Sequence, residues 1–201
     1  MRIVGRILLG ILALALVLTL GAYTLPRHPK VFRAVEIAAP PATVYAIVSD
    51  LRRFNEWSPW VELDPAAEYT FTGPVDDVGQ TMNWQSANPN VGSGSQTIAR
   101  LEPEKMVAMS LDFGAMGPAE ATIALEPIAP GTRVTWGFST DLGFNPIGRY
   151  MGVMFDGWIG GDYERGLAKL KTVAEATPPA ITPSADAAPS ASPAPTPAPA
   201  P

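Results

Sequence analysis

The sequence of 201 residues contains no cysteine and one histidine, and charged residues make up only 16% of it. Without cysteine, disulfide bonds, thiol catalysis and cysteine-based zinc sites are excluded. The lone histidine, His28, directly follows a long apolar segment and Arg27, so a histidine-based catalytic triad is not expected. We therefore expect neither a metal site nor a cofactor, and acid–base chemistry would have to come from aspartate or glutamate.

Basic residues are scarce in most of the chain. Of the 14 Lys and Arg residues, five lie within the first 33 positions, where no acidic residue occurs, so the remainder is strongly acidic, with all 19 Asp and Glu residues. An acidic domain repels the phosphate backbone of DNA or RNA. Nucleic acid is therefore excluded as a partner, and the net charge of -5 conceals a basic start and an acidic remainder.

One long apolar run is present, from Ile7 to Leu25, and Arg2 and Arg6 precede it. At roughly 1.5 Å of rise per residue, a helix of this length just crosses a hydrocarbon core of about 30 Å. Leu20 occupies a position where a signal peptide needs a small residue, which favours an uncleaved anchor. The sequence thus predicts a membrane anchor, or else a signal sequence, over residues 1–28.

Basic residues flank this apolar run on both sides, so the positive-inside rule gives no clear orientation. Signal-like anchors at the amino terminus usually leave that terminus in the cytoplasm. We therefore expect a single-pass membrane protein whose domain is extracytoplasmic, and periplasmic if the protein is bacterial.

The carboxyl-terminal segment, residues 177–201, consists mostly of Pro, Ala, Ser and Thr. This composition cannot bury a core, and it predicts a disordered tail with polyproline character. The tail could be a passive spacer or a ligand for a proline-binding protein partner, and both interpretations stay open. Residues 29–176, between the two ends, have the size of a single domain.

Alternating side chains dominate the middle of the chain. Val31 to Ala38 reads as a strand, and Pro40-Pro41 ends it and starts a helix with apolar residues at helical spacing. Period-two stretches then follow over Glu68 to Thr72, Gly79 to Gln85, Ser95 to Leu101, Met106 to Phe113, Ala119 to Glu126 and Arg133 to Asp141. This pattern predicts a meander of antiparallel strands with one apolar face.

A second helix is predicted from Asn145-Pro146, a cap residue followed by proline, to about Glu175. Its length of about 40 Å would suit a helix that lies across a whole sheet. Several glycines interrupt it, and each lowers helix stability by up to about 1 kcal/mol relative to alanine. Either the helix approaches the sheet closely at these glycines, or it bends or shifts to admit a ligand.

Three segments together carry a family resemblance: residues 39–50, which begin the first helix, residues 53–60, which read RFNEWSPW, and residues 162–171 of the last helix. Over roughly residues 31–174 the chain resembles the START-like, or SRPBCC, superfamily, and within it the polyketide cyclase/dehydrase and lipid-transport group. The resemblance implies an α+β helix-grip fold, in which a curved antiparallel sheet of six to seven strands wraps around a long C-terminal α-helix. The N-terminal transmembrane helix is an addition to this fold.

The resemblance also implies a cavity between sheet and helix that holds a lipid, sterol, polyketide or other apolar molecule. Large apolar side chains are the candidates for lining it, although each could instead be ordinary core. The predicted ligand-binding residues are Trp57, Trp60, Met82, Trp84, Met109, Phe113, Trp136, Phe138, Tyr150, Met151, Met154, Phe155 and Trp158.

Three functions are consistent with the sequence. The first is membrane-tethered binding or transport of a hydrophobic small molecule, such as a lipid, isoprenoid or polyketide-like compound. The second is a cyclase or hydratase-like enzyme that uses a buried carboxylate, for which the candidates are Asp112, Glu120, Asp141, Asp156 and Asp162. The third is a structural or interaction module that recruits partners through the proline-rich tail. No catalytic residue is assigned, and the balance of residues favours binding over catalysis.

Overall fold

A computed structural model describes residues 2–178 of the chain. The predicted disordered tail over residues 177–201 therefore lies outside the described residues, except for its first two positions. The described part consists of an N-terminal helix, α1 (Arg2–Ala22), and an α+β domain with a seven-stranded antiparallel sheet and three further helices. This architecture confirms the predicted helix-grip fold class.

The sheet is a simple antiparallel meander except for its first strand. The strand order is β1-β7-β6-β5-β4-β3-β2, so β1 joins the sheet next to the last strand. A register shift between Ile98 and Arg100 of β4 interrupts its pairing with β5, and such a bulge bends a sheet. The strands are β1 (Lys30–Ile37), β2 (Glu68–Thr72), β3 (Thr81–Gln85), β4 (Ser93–Glu102), β5 (Met106–Asp112), β6 (Pro118–Ile128) and β7 (Gly131–Ser139).

The two ends of the sheet differ in their neighbours. At one end β1 starts and β7 finishes close to the carboxyl end of α1, and the β5–β6 turn (Gly114–Met116) lies at the same end. We call this the anchor end. At the opposite end, the far end, lie the β6–β7 turn and residues 73–80 between β2 and β3.

The helical segment after β1 covers part of the concave face of the sheet. Helix α2 (Pro41–Val48) starts at proline as predicted, and its buried side chains include Val44 and Ile47. A 3-10 helix (Leu51–Glu56) follows directly. The buried side chain of Gln80 fixes it, because Gln80 accepts from the Leu51 N–H at 2.8 Å and donates to Asp50 at 2.8 Å.

The predicted single C-terminal helix is wrong in one respect, because the structure divides it into α3 (Pro146–Gly152) and α4 (Phe155–Ala176). Asn145 caps α3 as predicted, accepting a hydrogen bond from the Gly148 N–H at 3.0 Å. The division has a packing cause: α3 contacts α1, and a methyl group on Gly152 would meet Leu142 at 2.7 Å and Pro29 at 3.2 Å. Helix α3 therefore belongs to the α1 side of the domain and not to the sheet.

Helix α4 lies mainly along β1, and glycine permits its close approach. A methyl group on Gly166 would stand 2.7 Å from the Trp136 ring, and one on Gly160 would collide with the Arg33 guanidinium. Arg33 in turn binds α4 through Asp156 at 2.8 Å and Glu164 at 2.6 Å. The close-approach interpretation is thus confirmed at Gly160 and Gly166.

Candidate functional site

The middle of α4 meets the sheet through a closed group of five aromatic rings, Phe54, Trp57, Trp60, Trp136 and Tyr163, which we call the aromatic cluster. Trp136 and Tyr163 stack face to face, with centroids 3.8 Å apart and an angle of 8° between the rings. Trp57 meets Trp136 edge-on at 5.0 Å. Burial raises the pKa of Tyr163 above its usual range. The predicted cavity does not exist at this position, because rings fill the space between sheet and helix.

Two donors inside the aromatic cluster have no acceptor. The indole N–H groups of Trp57 and Trp136 are buried, and among the described residues neither has a hydrogen-bond partner. The edge-on contact of these two indoles gives only the weak compensation that an aromatic face offers a donor. A buried donor without a partner costs about 1–3 kcal/mol, so the extensive ring contacts must offset this loss.

Two concavities of about 190 Å³ each are open to the surface. One lies at the far end, between Ile37, Pro130 and Lys171. The other lies on the outer face of the sheet, around Phe32 and Gly137. The first reaches α4 only at Lys171, and neither is lined by a residue of the aromatic cluster.

The concave face of the sheet toward the anchor end carries medium-sized and small side chains, including two alanines of β6. Met82, Gln96, Leu111 and Ala119 lie side by side on four neighbouring strands, and we call this row the inner strip. Ala121 follows in the next row and lies opposite Phe138. Alanines at adjacent inward positions in the middle of a sheet leave volume that other groups must fill.

Aromatic pairs border the inner strip. Trp84 lies edge-on to Phe113 with centroids 5.8 Å apart, and Phe138 lies edge-on to Phe155 of α4 at 5.9 Å. Three of these rings, those of Trp84, Phe113 and Phe155, are only partly buried. The border of the strip is therefore less tightly closed than the aromatic cluster.

Gln96 is the polar group of this apolar strip. Its side chain is 5% exposed, and within residues 2–178 the only acceptor of the amide nitrogen is the Met82 sulfur, at 3.9 Å. A thioether is a weak acceptor, so the amide is poorly satisfied. Sequence analysis missed Gln96, yet the signal is present: Gln96 shares a strand face with Ile98, which makes it a polar residue at an apolar position.

The structure divides the thirteen predicted ligand-binding residues into three groups. Five are buried: Trp57, Met82, Met109, Trp136 and Phe138. Four are partly buried against the core: Trp60, Trp84, Phe113 and Phe155. Four are exposed: Tyr150, Met151, Met154 and Trp158. The last group lies on α3, at the break after it and at the start of α4, so these residues do not line the interior as the single-helix prediction required.

The exposed group extends into a larger surface. Phe144, Ile147, Met151, Val153, Met154 and Trp158 are all large, apolar and exposed, and all lie between β7 and the second turn of α4. We call these six residues the apolar face. These residues all fall within positions 144–158, and exposed apolar surface concentrated in this way marks an interaction site, a binding groove or a membrane contact.

Arg149 of α3 joins the domain to the end of α1. Its side chain is 7% exposed and donates to the Gly143 carbonyl at 2.8 Å and to the carbonyls of Tyr23 and Leu25 at 3.4 Å each. Its guanidinium also lies over the Tyr23 ring, 5.0 Å from the centroid. The Tyr23 and Leu25 carbonyls lie just after the carboxyl end of α1, the negative end of its dipole, where a cation is stabilising.

Further contacts complete this junction between α1 and α3. The Tyr150 hydroxyl donates to the Leu18 carbonyl at 2.9 Å, and the Leu142 N–H donates to the Arg27 carbonyl at 3.0 Å. Arg27 forms a bidentate ion pair with Asp141 at 2.6 and 2.7 Å. This pair, with the Gly143 N–H, holds the pKa of Asp141 well below its usual range. We call this set of contacts, with those of Arg149, the anchor junction.

The candidate catalytic carboxylates are not placed for general acid–base work. Asp112, Glu120, Asp141 and Asp156 are exposed, and Asp162 is paired with Arg165. Arg33 lowers the pKa of Asp156. Within residues 2–178, one carboxyl has a raised pKa, that of Asp76, and the causes are its partial burial and the neighbouring Asp50. Asp76 lies in the exposed segment before β3, at the far end of the sheet.

Within residues 2–178, no group of three or more His, Asp or Glu side chains is arranged to hold a metal ion. Asp50 and Asp76 are neighbouring carboxylates. Asp50, however, already accepts hydrogen bonds from the Gln80 amide and from the Arg52 N–H at the start of the 3-10 helix.

Comparison with known proteins agrees with this fold. A family model described as "Polyketide cyclase / dehydrase and lipid transport" matches residues 28–175. Among curated proteins, none matches the sequence. The solved structures described next share less than a quarter of their residues with this chain, so their similarity concerns the fold alone.

Three solved structures illustrate the similarity. A solution structure from Thermobifida fusca has a TM-score of 0.57 at 18% identity and covers 73% of this chain and 93% of that one. A protein of unknown function from Staphylococcus aureus has a TM-score of 0.56 at 13% identity, covering 74% and 94%. The di-domain ARO/CYC StfQ from the steffimycin biosynthetic pathway has a TM-score of 0.55 at 11% identity, covering 74% and 51%.

Proposed function

Since this chain belongs to the family of polyketide cyclases/dehydrases and lipid-transport proteins, we propose that it binds a hydrophobic small molecule while α1 tethers it to a membrane. The observation that carries the proposal is the inner strip, an apolar surface with one poorly satisfied amide, that of Gln96. The ligand class is a lipid, isoprenoid or polyketide-like molecule that carries a hydroxyl or carbonyl group for this amide.

The proposed position of the ligand follows from the space that side chains already fill between the sheet and α4. The aromatic cluster occupies the space under the middle of α4, so the ligand belongs nearer the anchor end, between the inner strip and the start of α4. Phe155 packs edge-on against Phe138, which lies opposite Ala121 in the row next to the inner strip. It is only partly buried, and it directly follows the break between α3 and α4. Movement of Phe155, and of the break itself, would open the strip.

Apolar burial would supply most of the affinity. At about 25 cal/mol per Å², a ligand that buries about 300 Å² of apolar surface gains about 7 kcal/mol before the costs of association. A hydrogen bond to the Gln96 amide would add about 1 kcal/mol and would fix the orientation of the polar group. A site of this kind selects shape and one polar group and needs no charged residue.

The tether places this site where apolar molecules partition. The segment Ile3–Ala22 is a helix long and apolar enough to cross a membrane. From Ile3 to Leu18 every residue of this helix is exposed, so the domain leaves its apolar surface uncovered. In this proposal the amino terminus is cytoplasmic and the domain extracytoplasmic, as the sequence predicts.

Identification of bound material tests the proposed function. The full-length protein is purified from membranes in mild detergent, and the molecules it retains are extracted and identified by mass spectrometry. Ala119→Phe should fill the inner strip and abolish retention, whereas Ala124→Phe, on an exposed position of the same strand, should retain the ligand. Thermal unfolding of both variants checks that each one folds. A wild-type protein that retains no apolar molecule, and that binds none from added lipid extracts, would refute the proposal.

A further inference from the structure

We propose that the apolar face is a membrane-contacting surface that lies in the same leaflet as the carboxyl end of α1. The domain then rests on the bilayer and does not stand away from it on a free tether. The inference uses the proposed function in one respect only, which is that α1 spans a membrane.

The first observation is the exposure of large apolar side chains on a short segment. Ile147 is 70% exposed, and the other five members of the apolar face are also exposed to solvent in the isolated chain. Met116, in the β5–β6 turn, is exposed at the same end of the sheet. In water such a surface is unfavourable, at about 25 cal/mol per Å², and a bilayer would remove that cost.

The second observation is the position of α3 along α1, which sets its depth in the bilayer. The Tyr150 hydroxyl reaches the Leu18 carbonyl, and a methyl group on Gly21 would lie 3.0 Å from the same hydroxyl. Leu18 precedes the end of α1 by about one helical turn, or about 6 Å along the axis. If α1 spans the bilayer, α3 lies beside its last turn, within the 5–10 Å or so at which interfacial helices bury their apolar side.

The third observation is that the anchor junction leaves little freedom between α1 and α3. Arg149 is buried between them, and Arg27 is held by both Asp141 and the Leu142 N–H. Pro29 contacts the position of Gly152 directly. Because these contacts fix α3 to the end of α1, insertion of α1 also sets the height of the apolar face above the bilayer centre.

The fourth observation concerns charge and favours lipid as the occupant. The domain as a whole is acidic, yet residues 142–155 contain no acidic residue. The two acids that bracket this segment, Asp141 and Asp156, are both paired with arginine. Residues 142–155 therefore present no unpaired carboxylate to anionic headgroups, and Trp158 and Tyr150 add the amphipathic rings that favour a membrane interface.

One consequence concerns ligand entry. Phe155 lies between the apolar face and Phe138 on the concave face of the sheet, since it begins α4 directly after Met154. An apolar molecule could therefore pass from the bilayer to the inner strip along Phe155 without crossing bulk water. Entry from the acyl region avoids the cost of dissolving the free ligand in water.

The absence of native cysteine makes the test direct, because single cysteines can be labelled without any background. Full-length Ile147→Cys and Val153→Cys proteins are labelled with a polarity-sensitive fluorophore and reconstituted in vesicles of phosphatidylcholine and phosphatidylglycerol. Val75→Cys is the matched control, because Val75 is apolar and 58% exposed but lies at the far end. Leu12→Cys, in the middle of α1, is the reference for a lipid-embedded label.

Quenching by aqueous iodide and by lipid-attached doxyl groups gives the outcome. We expect iodide to quench labels at 147 and 153 at least about threefold less than the label at 75, and doxyl lipid to quench them nearly as well as the label at 12. Labels at 147 and 153 as accessible to iodide as at 75 would overturn the inference, and so would shielding from both quenchers, which would indicate a protein partner or a second copy of the chain.

The reference position separates this inference from the proposed function. A lipid-embedded label at 12 with an aqueous label at 147 refutes only the membrane contact of the apolar face. An aqueous label at 12 refutes the tether, and with it the membrane contact of the apolar face, whereas ligand retention still decides whether the domain binds an apolar molecule. Loss of ligand retention in the strip-filling variant Ala119→Phe bears on the proposed function alone.

Discussion

The two halves of the α4–sheet interface, the aromatic cluster and the region around the start of α4, contain the same residue types but differ in how tightly these residues pack. At the aromatic cluster, Tyr163 of α4, Trp136 of β7 and the three rings of residues 54–60 pack against one another. At the start of α4 and on α3, aromatic and methionine side chains lie on the surface or at the border of the inner strip. Trp136 is 2% exposed and Trp158 is 49% exposed. Side-chain type alone therefore does not separate the core from the candidate site.

The difference follows from how closely the helix approaches the sheet. At Gly166 the helix backbone lies against Trp136 and Pro59, which leaves no room for a ligand. Toward the anchor end the helix is interrupted at Val153, and α3 turns to contact α1. The first half of the interface is tightly packed, and the second half is the part that we propose to bind the ligand.

Truncation of the two tryptophans should give the largest contrast. Trp136→Ala removes a ring that packs against Tyr163 and Trp57, and we expect a loss of about 3–5 kcal/mol in the free energy of unfolding. Trp158→Ala should change it by less than about 0.5 kcal/mol. Denaturant unfolding of the full-length protein in detergent measures both. Equal losses would mean that Trp158 is part of the core and would remove the distinction between the two halves.

Glycine substitutions sharpen the comparison within α4 itself. Gly166→Ala forces a methyl group to within 2.7 Å of Trp136, and we expect it to destabilise the protein by about 1–3 kcal/mol. Gly157→Ala meets no atom within 4 Å, so it should stabilise the helix by up to about 1 kcal/mol. Unfolding midpoints with unchanged denaturant dependence would measure both effects. Stabilisation by both alanines would contradict the close approach at Gly166.

Much of the fold could be predicted because its signals are local. Period-two alternation located every strand to within about two residues, and Glu68–Thr72 matches the prediction at both ends. Pro41 and Asn145 marked two helix starts for the reasons that proline and asparagine favour the first positions. The break at Val153 was not predictable, because it depends on contacts of α3 with α1 that are distant in sequence.

The candidate site was less predictable for the same reason. Hydrophobicity identified Met82 and Phe138 as interior, but it gave Met151 and Trp158 the same weight although both are exposed. Gln96 was missed because one polar residue in a strand usually faces water. Only strand register shows that Gln96 lies between Met82 and Leu111 on the concave face.

Replacement of Gln96 tests whether the less tightly packed region, around the inner strip, binds the ligand. Gln96→Leu keeps the side-chain volume and removes an amide whose partner is a sulfur, so stability should stay the same or rise slightly. Ligand affinity should fall about tenfold, which is about 1.4 kcal/mol, because the ligand loses its hydrogen bond. Titration with the ligand identified by mass spectrometry measures the affinity.

Gln85→Leu is the matched control for this substitution, because Gln85 is exposed at the end of β3. Its affinity should equal that of the wild-type protein. Unchanged affinity in Gln96→Leu would show that the inner strip does not contact the polar group of the ligand. Reduced stability without reduced affinity would make Gln96 a structural residue of the tightly packed half.

Acid should act on the anchor junction and leave the aromatic cluster, which depends on ring packing, almost unaffected. Arg27 and the Gly143 N–H lower the pKa of Asp141 in the folded protein, so the folded state binds this proton more weakly than the unfolded state. The stability that the charged carboxylate contributes is therefore present above an unfolded pKa of about 4 and is lost as the pH falls toward the folded value. Asp141→Asn should flatten the pH dependence of the free energy of unfolding below about pH 4.

This effect is the smallest of the four predicted here, because Arg27 and Asp141 are both about half exposed and salt screens the pair. A variant with the same slope as the wild-type protein would mean that Arg27 and Asp141 do not help to hold α1 on the domain.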